Sequence, residues 1–256
     1  MLMEEWYLEY RIVNNRPGLL GDIAALLGML DINISTVNSL VENRRGFLLE
    51  GVEGQVAALA RALEAVPDVS VTALRPPFLA DVVALKHGQT IPETDENPRV
   101  YAFVREQCGL LIDFMGELIR GSPAITIGLR GMPRVGKTES AIAACVHANK
   151  RWIMVSGTIL RLYLRGTLSP DEEREDCVYL LDAIATTTRG DARHRNLVQT
   201  LLEKPVPKII EHPDIFVREG ILAAERLSVL VELRRSYDER IDYANIASST
   251  NSFDIS

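Results

Sequence analysis

Residues 131–138 read Gly-Met-Pro-Arg-Val-Gly-Lys-Thr, the pattern G-x-x-x-x-G-K-T. Each fixed residue type has a task if such a loop is to hold a polyphosphate. Gly131 and Gly136 let the backbone wrap with its N–H groups pointing inward, a conformation that a Cβ obstructs. Lys137 supplies a point charge for the β- and γ-phosphates, and the Thr138 hydroxyl is a ligand for Mg²⁺. Arg134, Val135 and Glu139 complete the loop and open the following helix, whose first N–H groups add a positive end. The nucleotide-binding set is therefore Gly131, Arg134, Val135, Gly136, Lys137, Thr138 and Glu139, with Lys137 also acting on the phosphoryl group during any transfer.

Such a loop works only between a strand and a helix. Residues 124–129 form a short apolar run, and 139–149 place Ala141, Ile142, Ala144, Cys145 and Ala148 in a helical pattern. The context predicts a P-loop and a nucleoside triphosphate ligand. A second acid has to stand beside the metal, and Cys177-Val-Tyr-Leu-Leu-Asp182 offers a strand ending in Asp182. Thr138 and Asp182 are thus the expected Mg²⁺ partners. A buried helix turn capped by Asp182 remains the alternative, because an apolar run this short has no decisive period.

The polar segment Thr186 to His194 follows that acid. Arg189 and Arg193 are expected to neutralise charge on a transferring phosphoryl group, Asp191 to position a hydroxyl or water, and His194 to exchange protons. A solvated helix start capped by Asp191 accounts for the same residues equally well. Glu211-His212-Pro213-Asp214, at the end of a later apolar run, either meets the γ-phosphate or a substrate, or makes a capped strand-to-helix turn. Arg161 and Arg165 read as surface charge, with contact to phosphates or an acidic substrate as the alternative.

Further strands are expected at 151–156, 206–211 and 228–233, with helices at 99–121 and 196–203. Strands alternating with helices predict a mostly parallel sheet covered on both faces, with its ligand at the strands' carboxyl ends. Residues 1–75 differ. Their hydrophobic pattern switches between period two and the three-and-four spacing in the order βαββαβ, a ferredoxin-like arrangement with an antiparallel sheet. Pro76, Pro77, Pro92, Pro98 and the acidic stretch 93–96 mark 76–98 as a linker. The division is then 1–75, linker 76–98, nucleotide-binding domain 99–245, and a mobile tail at 246–256.

The formal charge of −7, from 28 Lys and Arg against 35 Asp and Glu, argues against nucleic acid or anionic membrane as partner. No apolar run approaches a membrane span, and no basic segment followed by an apolar run opens the chain. A cytoplasmic protein is expected. Cys108, Cys145 and Cys177 lie too far apart for a short metal-ligand spacing and read as reduced core thiols.

Two resemblances add to these expectations. Tyr10-Arg-Ile-Val-Asn-Asn-Arg-Pro-Gly-Leu-Leu-Gly-Asp-Ile-Ala, followed by Ile32-Asn-Ile-Ser, resembles the start of an ACT domain. That likeness implies homodimerisation and an amino acid or other small-metabolite effector at Asn15, Pro17 and Gly18. Pro17 presets a helix start and Gly18 permits close approach, so the loop also stands as a well-made helix start alone. Over most of its length the chain, with GMPRVGKTES, ANKRW, the strand ending in Asp182, TRGD-x-RH and EHPDIFV, resembles the YmfK-like family of uncharacterised bacterial proteins, which join an ACT domain to a P-loop domain.

Nucleotide choice can also be read. GTPases resembling the P-loop superfamily carry Asn-Lys-x-Asp and Asp-x-x-Gly. Here Asn149-Lys150-Arg151-Trp152 lacks the Asp and Asp182-Ala-Ile-Ala185 lacks the Gly, so ATP is expected. The resulting expectation is an ATP-binding regulatory protein with slow ATPase or small-molecule kinase activity, tuned by an ACT-like domain. The alternative is a non-enzymatic switch that reports nucleotide occupancy to a protein partner.

Overall fold

The computed structural model describes residues 3–41, 43–94, 96–155, 174, 176–189 and 192–241. The chain divides into two compact units, Met1–Ile91 and Pro92–Ser256. Among the described residues no helix is long and apolar enough to cross a membrane.

In the first unit the order is β1 (Glu4–Ile12), α1 (Leu19–Met29), β2 (Asn33–Leu40), β3 (Arg44–Gly51), α2 (Glu53–Glu64), β4 (Val69–Arg75) and α3 (Leu79–His87). The strands pair antiparallel in the order β2-β3-β1-β4. Alternation sends Leu8, Tyr10, Phe47 and Leu49 to one face, where Leu19, Ile23 and Leu27 of α1 and Val56, Leu59 and Leu63 of α2 cover them. Each such fully buried leucine or phenylalanine contributes about 1.5–3 kcal/mol of transfer free energy.

The opposite face is covered too. Tyr7, Leu40 and Leu48 form a second buried layer with Leu85 of α3, so the central strand β3 is buried on both sides. At Gly46 an added Cβ would stand 3.0 Å from Leu85 Cδ1, which lets α3 lie close to the sheet. This helix falls inside the stretch expected to be a linker, 76–98. Pro76 and Pro77 end β4 and set up a helix start instead: the Asp81 carboxylate accepts the Phe78 N–H at 2.7 Å and pairs with Arg75 at 2.6 and 3.0 Å.

The second unit contains β5 (Glu93–Thr94), β6 (Val100–Val104), α4 (Cys108–Gly121), β7 (Thr126–Gly131), α5 (Lys137–His147), β8 (Arg151–Val155), β9 (Cys177–Asp182), α6 (Ala183–Arg189), α7 (Ala192–Glu203), β10 (Lys208–Glu211), α8 (Pro213–Arg218) and β11 (Val229–Arg234). Seven strands line up as β5-β6-β11-β7-β10-β9-β8. All pairs are parallel except β5 with β6.

The single helix expected over 99–121 is a strand followed by a helix. Tyr101 and Val104 fit helical spacing, but Val-Tyr-Ala-Phe-Val is rich in β-branched and aromatic residues, and β11, over a hundred positions downstream, supplies its ladder. Tyr101 and Phe103 then pack on Phe114 of α4 with ring centroids 4.8 and 5.6 Å apart. The Gln107 side chain accepts the Val104 N–H at 3.1 Å and turns the chain from β6 into α4.

On one side of this sheet Tyr179, Leu181 and Ile210 pack under Val198, Leu201 and Leu202 of α7 and Phe216 of α8. Cys145 and Cys177 are buried thiols, as expected, whereas Cys108, in the first turn of α4, is exposed. Residues 156–173 and 242–256, which include Arg161, Arg165 and the expected tail, lie outside the described residues.

Candidate functional site

Strands β7, β10 and β9 lie side by side and end together, with Glu211 opposite Leu129 on one side and opposite Asp182 on the other. Parallel pairing therefore brings the exit of β7 and two acids to one rim, with adjacent strands about 4.8 Å apart.

The chain leaves β7 through Gly131, whose φ is +151° and where a Cβ would stand 2.5 Å from the Leu233 carbonyl oxygen. Only glycine fits there. Arg134 (φ 62°) and Gly136 (φ 106°) are left-handed, and Val135, 1 % exposed, anchors the loop in the core. Gly136 is the N-cap of α5. The Arg235 guanidinium donates to the Pro133 carbonyl at 3.1 Å and ties down the loop's outer side.

Lys137 opens α5 and is 6 % exposed. Its ammonium donates to the loop's own carbonyls, Gly131 O at 3.1 Å and Met132 O at 2.9 Å. Burial pulls its pKa below the ordinary lysine value, while the carboxylates of Glu211, Asp182 and Glu139 act against that shift. The Thr138 hydroxyl donates to Glu211 Oε1 at 2.6 Å. Burial holds the Glu211 carboxyl above the usual carboxylate range. The Thr138 hydrogen bond opposes this rise, and the neighbouring Asp182 charge adds to it.

Asp182 stands at the end of a strand, as the sequence implies, and it caps as well: its Oδ1 accepts the Ala185 N–H of α6 at 3.1 Å. The run before it is a strand and not a helix turn, and the Asp182 charge also acts on the Lys137 ammonium.

The segment Glu211 to Asp214 resolves into separate roles. Glu211 faces Thr138. His212 is left-handed (φ 56°), buried, and its N–H reaches Leu129 O at 3.0 Å. Burial, with the Lys137 charge nearby, drops its pKa to about 4, so it is neutral at physiological pH. Asp214 makes a two-pronged pair with Arg130 at 2.9 and 2.5 Å, which clamps α8 to β7.

Glu211 is not among the expected metal partners. Its signal is an apolar run ending in a charge, the same signal that singles out Asp182, made ambiguous by the adjoining His-Pro-Asp turn. Among the described residues no group of three or more His, Cys, Asp or Glu is arranged to hold a metal by itself. Two acids and a hydroxyl are nonetheless the hard-oxygen complement that Mg²⁺ uses when phosphate oxygens and water supply the rest.

The remaining expected residues fare differently. Thr186 to His194 is mostly helical: the buried Thr186 hydroxyl donates to Asp182 O at 2.7 Å, and the buried His194 ring stands 3.4 Å from that hydroxyl. His194 is thus a core residue and not a surface proton donor. Arg193 is exposed on the first turn of α7. Asp191 and the Arg189 side chain lie outside the described part of the chain. In the first unit Asn15, Pro17 and Gly18 are exposed ahead of α1, and between them Arg16 bridges Asp22 at 2.7 Å and Asp68 at 2.8 Å.

The molecule is therefore a mixed α/β protein with a separate antiparallel sheet and a mostly parallel sheet whose rim carries a glycine-cornered loop, a buried lysine and two acids. Residues 71–255 match the model of the family described as "Protein of unknown function (DUF3388)", and the chain belongs to that family. It is 45 % identical over 240 residues, 93 % of this chain and 89 % of the relative, to "Uncharacterized protein YmfK" of Bacillus subtilis (strain 168). A solved phospho-2-dehydro-3-deoxyheptonate aldolase from Thermotoga maritima aligns over 93 % of this chain and 72 % of its own at 9 % identity, with a TM-score of 0.22, too low to carry an argument about the fold.

Proposed function

We propose that the second unit is a P-loop domain that binds Mg²⁺ and ATP, and that the protein is an ATP-binding regulator with slow ATPase or small-molecule kinase activity. The observation that supports this most is the buried Lys137 ammonium, held on the loop's own carbonyls, with the Glu211, Asp182 and Glu139 charges acting on it from beyond ion-pair distance among the described residues. Keeping an ammonium out of water without a close carboxylate partner is unfavourable, and a polyphosphate is the ligand that offsets it: the amine turns from two carbonyls to the β- and γ-phosphate oxygens.

The donor set fits the metal. Thr138 and one carboxylate of the Glu211 and Asp182 pair would hold Mg²⁺ directly or through water, and the bound cation would relieve the repulsion between the two acids. The other carboxylate would take a proton from a water or an acceptor hydroxyl. ATP is favoured over GTP because the guanine-reading sequences are missing. The first unit, with its βαββαβ order, is proposed to be an ACT-like domain that pairs with a second copy and senses an amino acid or similar metabolite.

Isothermal titration with ATP and GTP, with and without Mg²⁺, tests the core of this proposal, followed by assay of phosphate release. Mg²⁺-dependent ATP binding with release supports the enzyme. Binding without turnover favours a switch acting on a protein partner, and absence of binding overturns the assignment.

A further inference from the structure

A triphosphate held on the 131–138 loop still needs a place for its nucleoside, so the location of that subsite rests on the nucleotide-binding function proposed for this unit. Beside the loop lies a cavity of about 500 Å³ lined by Arg105, Cys108 and Ile112 on one side and Arg134, Ser140 and Ala143 on the other. It separates the first turns of α4 and α5, which run alongside each other from the same end. Cys108 Sγ is 3.9 Å from Ser140 Oγ, and further along a Cβ on Gly116 would meet the His147 ring at 2.4 Å.

Two features give this cavity a ligand preference. Arg105 and Arg134 are exposed, and among the described residues neither has an ion-pair partner, so two guanidiniums flank its mouth beside two helix N-termini. Ile112 and Ala143, both half-buried, supply an apolar wall. A cationic mouth that continues from the phosphate loop into an apolar slot matches a phosphate followed by a flat heterocycle. Another large cavity of this unit, about 400 Å³, is bordered by Glu93, Glu96 and Glu232. Its Arg130 and Arg234 are already paired with Asp214 and Glu232, so it repels an anion.

We infer that the cavity between α4 and α5 is the nucleoside subsite, with the α-phosphate at Arg134 and Arg105 and the base between Ile112 and Ala143, in contact with Cys108. Glu139, the carboxylate on the same lining, is the acceptor available to ribose hydroxyls.

Cys108 makes the inference directly measurable, because it is exposed while Cys145 and Cys177 are buried and burial pushes the Cys145 thiol up to about 12. Iodoacetamide followed by peptide mass spectrometry should label Cys108 alone. At about ten times the Kd, Mg-ATP should slow that labelling about tenfold by mass action, whereas inorganic tripolyphosphate, which fills the phosphate positions and leaves the nucleoside slot open, should leave it unchanged. Ile112→Trp, which fills the slot, should weaken ATP without weakening tripolyphosphate; Ile112→Ala, which removes the apolar wall and leaves both arginines in place, gives the same comparison should the larger side chain disturb folding. ATP that binds by titration yet leaves Cys108 fully reactive would overturn the subsite and spare the proposed function. Failure of both ATP and tripolyphosphate to bind would remove the functional proposal itself, and the subsite with it.

Discussion

Two helices in this molecule begin in the same way and end up with different prospects. Gly18 starts α1 with φ 86° and Gly136 starts α5 with φ 106°, both as left-handed N-caps without a side-chain cap. Each leaves free N–H groups and a partial positive charge at the helix end. At α1 the neighbouring cation is Arg16, on the surface, already bridged to Asp22 and Asp68. At α5 it is Lys137, buried and hydrogen-bonded to two carbonyls of its own loop. A glycine-led helix start is common to both; what marks the second as the candidate site is charge kept out of water with no carboxylate within ion-pair distance among the described residues.

That contrast is tested hardest at Lys137. Hydrogen bonds to charged groups are worth about 1.5–3 kcal/mol, so Lys137→Ala should raise the Kd for Mg-ATP about 10- to 150-fold. Because the buried ammonium is poorly solvated, the same change should leave the melting temperature level or raise it. An unchanged Kd by titration would show that Lys137 is a structural residue.

His212 probes the same rim through pH. The unfolded chain takes up a proton near 6.5 and the folded chain only near about 4. Stability is therefore full above the unfolded value and falls as pH drops through that window. At 1.36 kcal/mol per unit the whole loss is about 3 kcal/mol. Asparagine tolerates the left-handed backbone, so His212→Asn should flatten the dependence of the urea midpoint between pH 7 and 4. A slope that persists would assign it to the carboxylates.

The local features are legible in the sequence because they depend on neighbours along the chain: the 131–138 loop, the strand ending at Asp182, and the βαββαβ order of the first unit. What escapes such a reading depends on distant partners. Residues 100–104 show a helical spacing continuous with α4, and only pairing with β11 makes them a strand. Leu79–His87 sits among prolines, and the uncovered face of Tyr7 and Leu48 is what gives this helix somewhere to pack. Glu211 looks no different from any strand-ending acid until the register sets it beside Asp182 and Thr138.

The two glycine N-caps can be compared directly. Neither Gly18 nor Gly136 has an atom within 4 Å of an added Cβ, so alanine at either position is opposed by backbone strain alone, about 1–2 kcal/mol. Gly18→Ala and Gly136→Ala should lower the denaturant midpoint similarly. Only the second should weaken ATP, because it distorts the loop proposed to wrap the phosphates. Equal losses of ATP affinity would mean that the phosphate loop holds no privileged geometry.

The smallest effect is expected at Arg16. Its ion pairs are exposed, so solvent and salt screen them and the long side chain has many alternatives. Arg16→Gln should leave the melting temperature in about 0.15 M salt and the Kd for ATP within measurement scatter. The proposed regulator requires something different from an effector. If an amino acid binds at Asn15, Pro17 and Gly18 and changes ATP affinity by some factor, ATP must change amino-acid affinity by the same factor. Titrating each ligand in the presence and absence of the other checks that equality. An Arg16→Gln protein that loses ATP affinity with no effector present would show that the α1 start is coupled to the phosphate loop through the fold itself, and the contrast between a surface helix start and a buried site would fail.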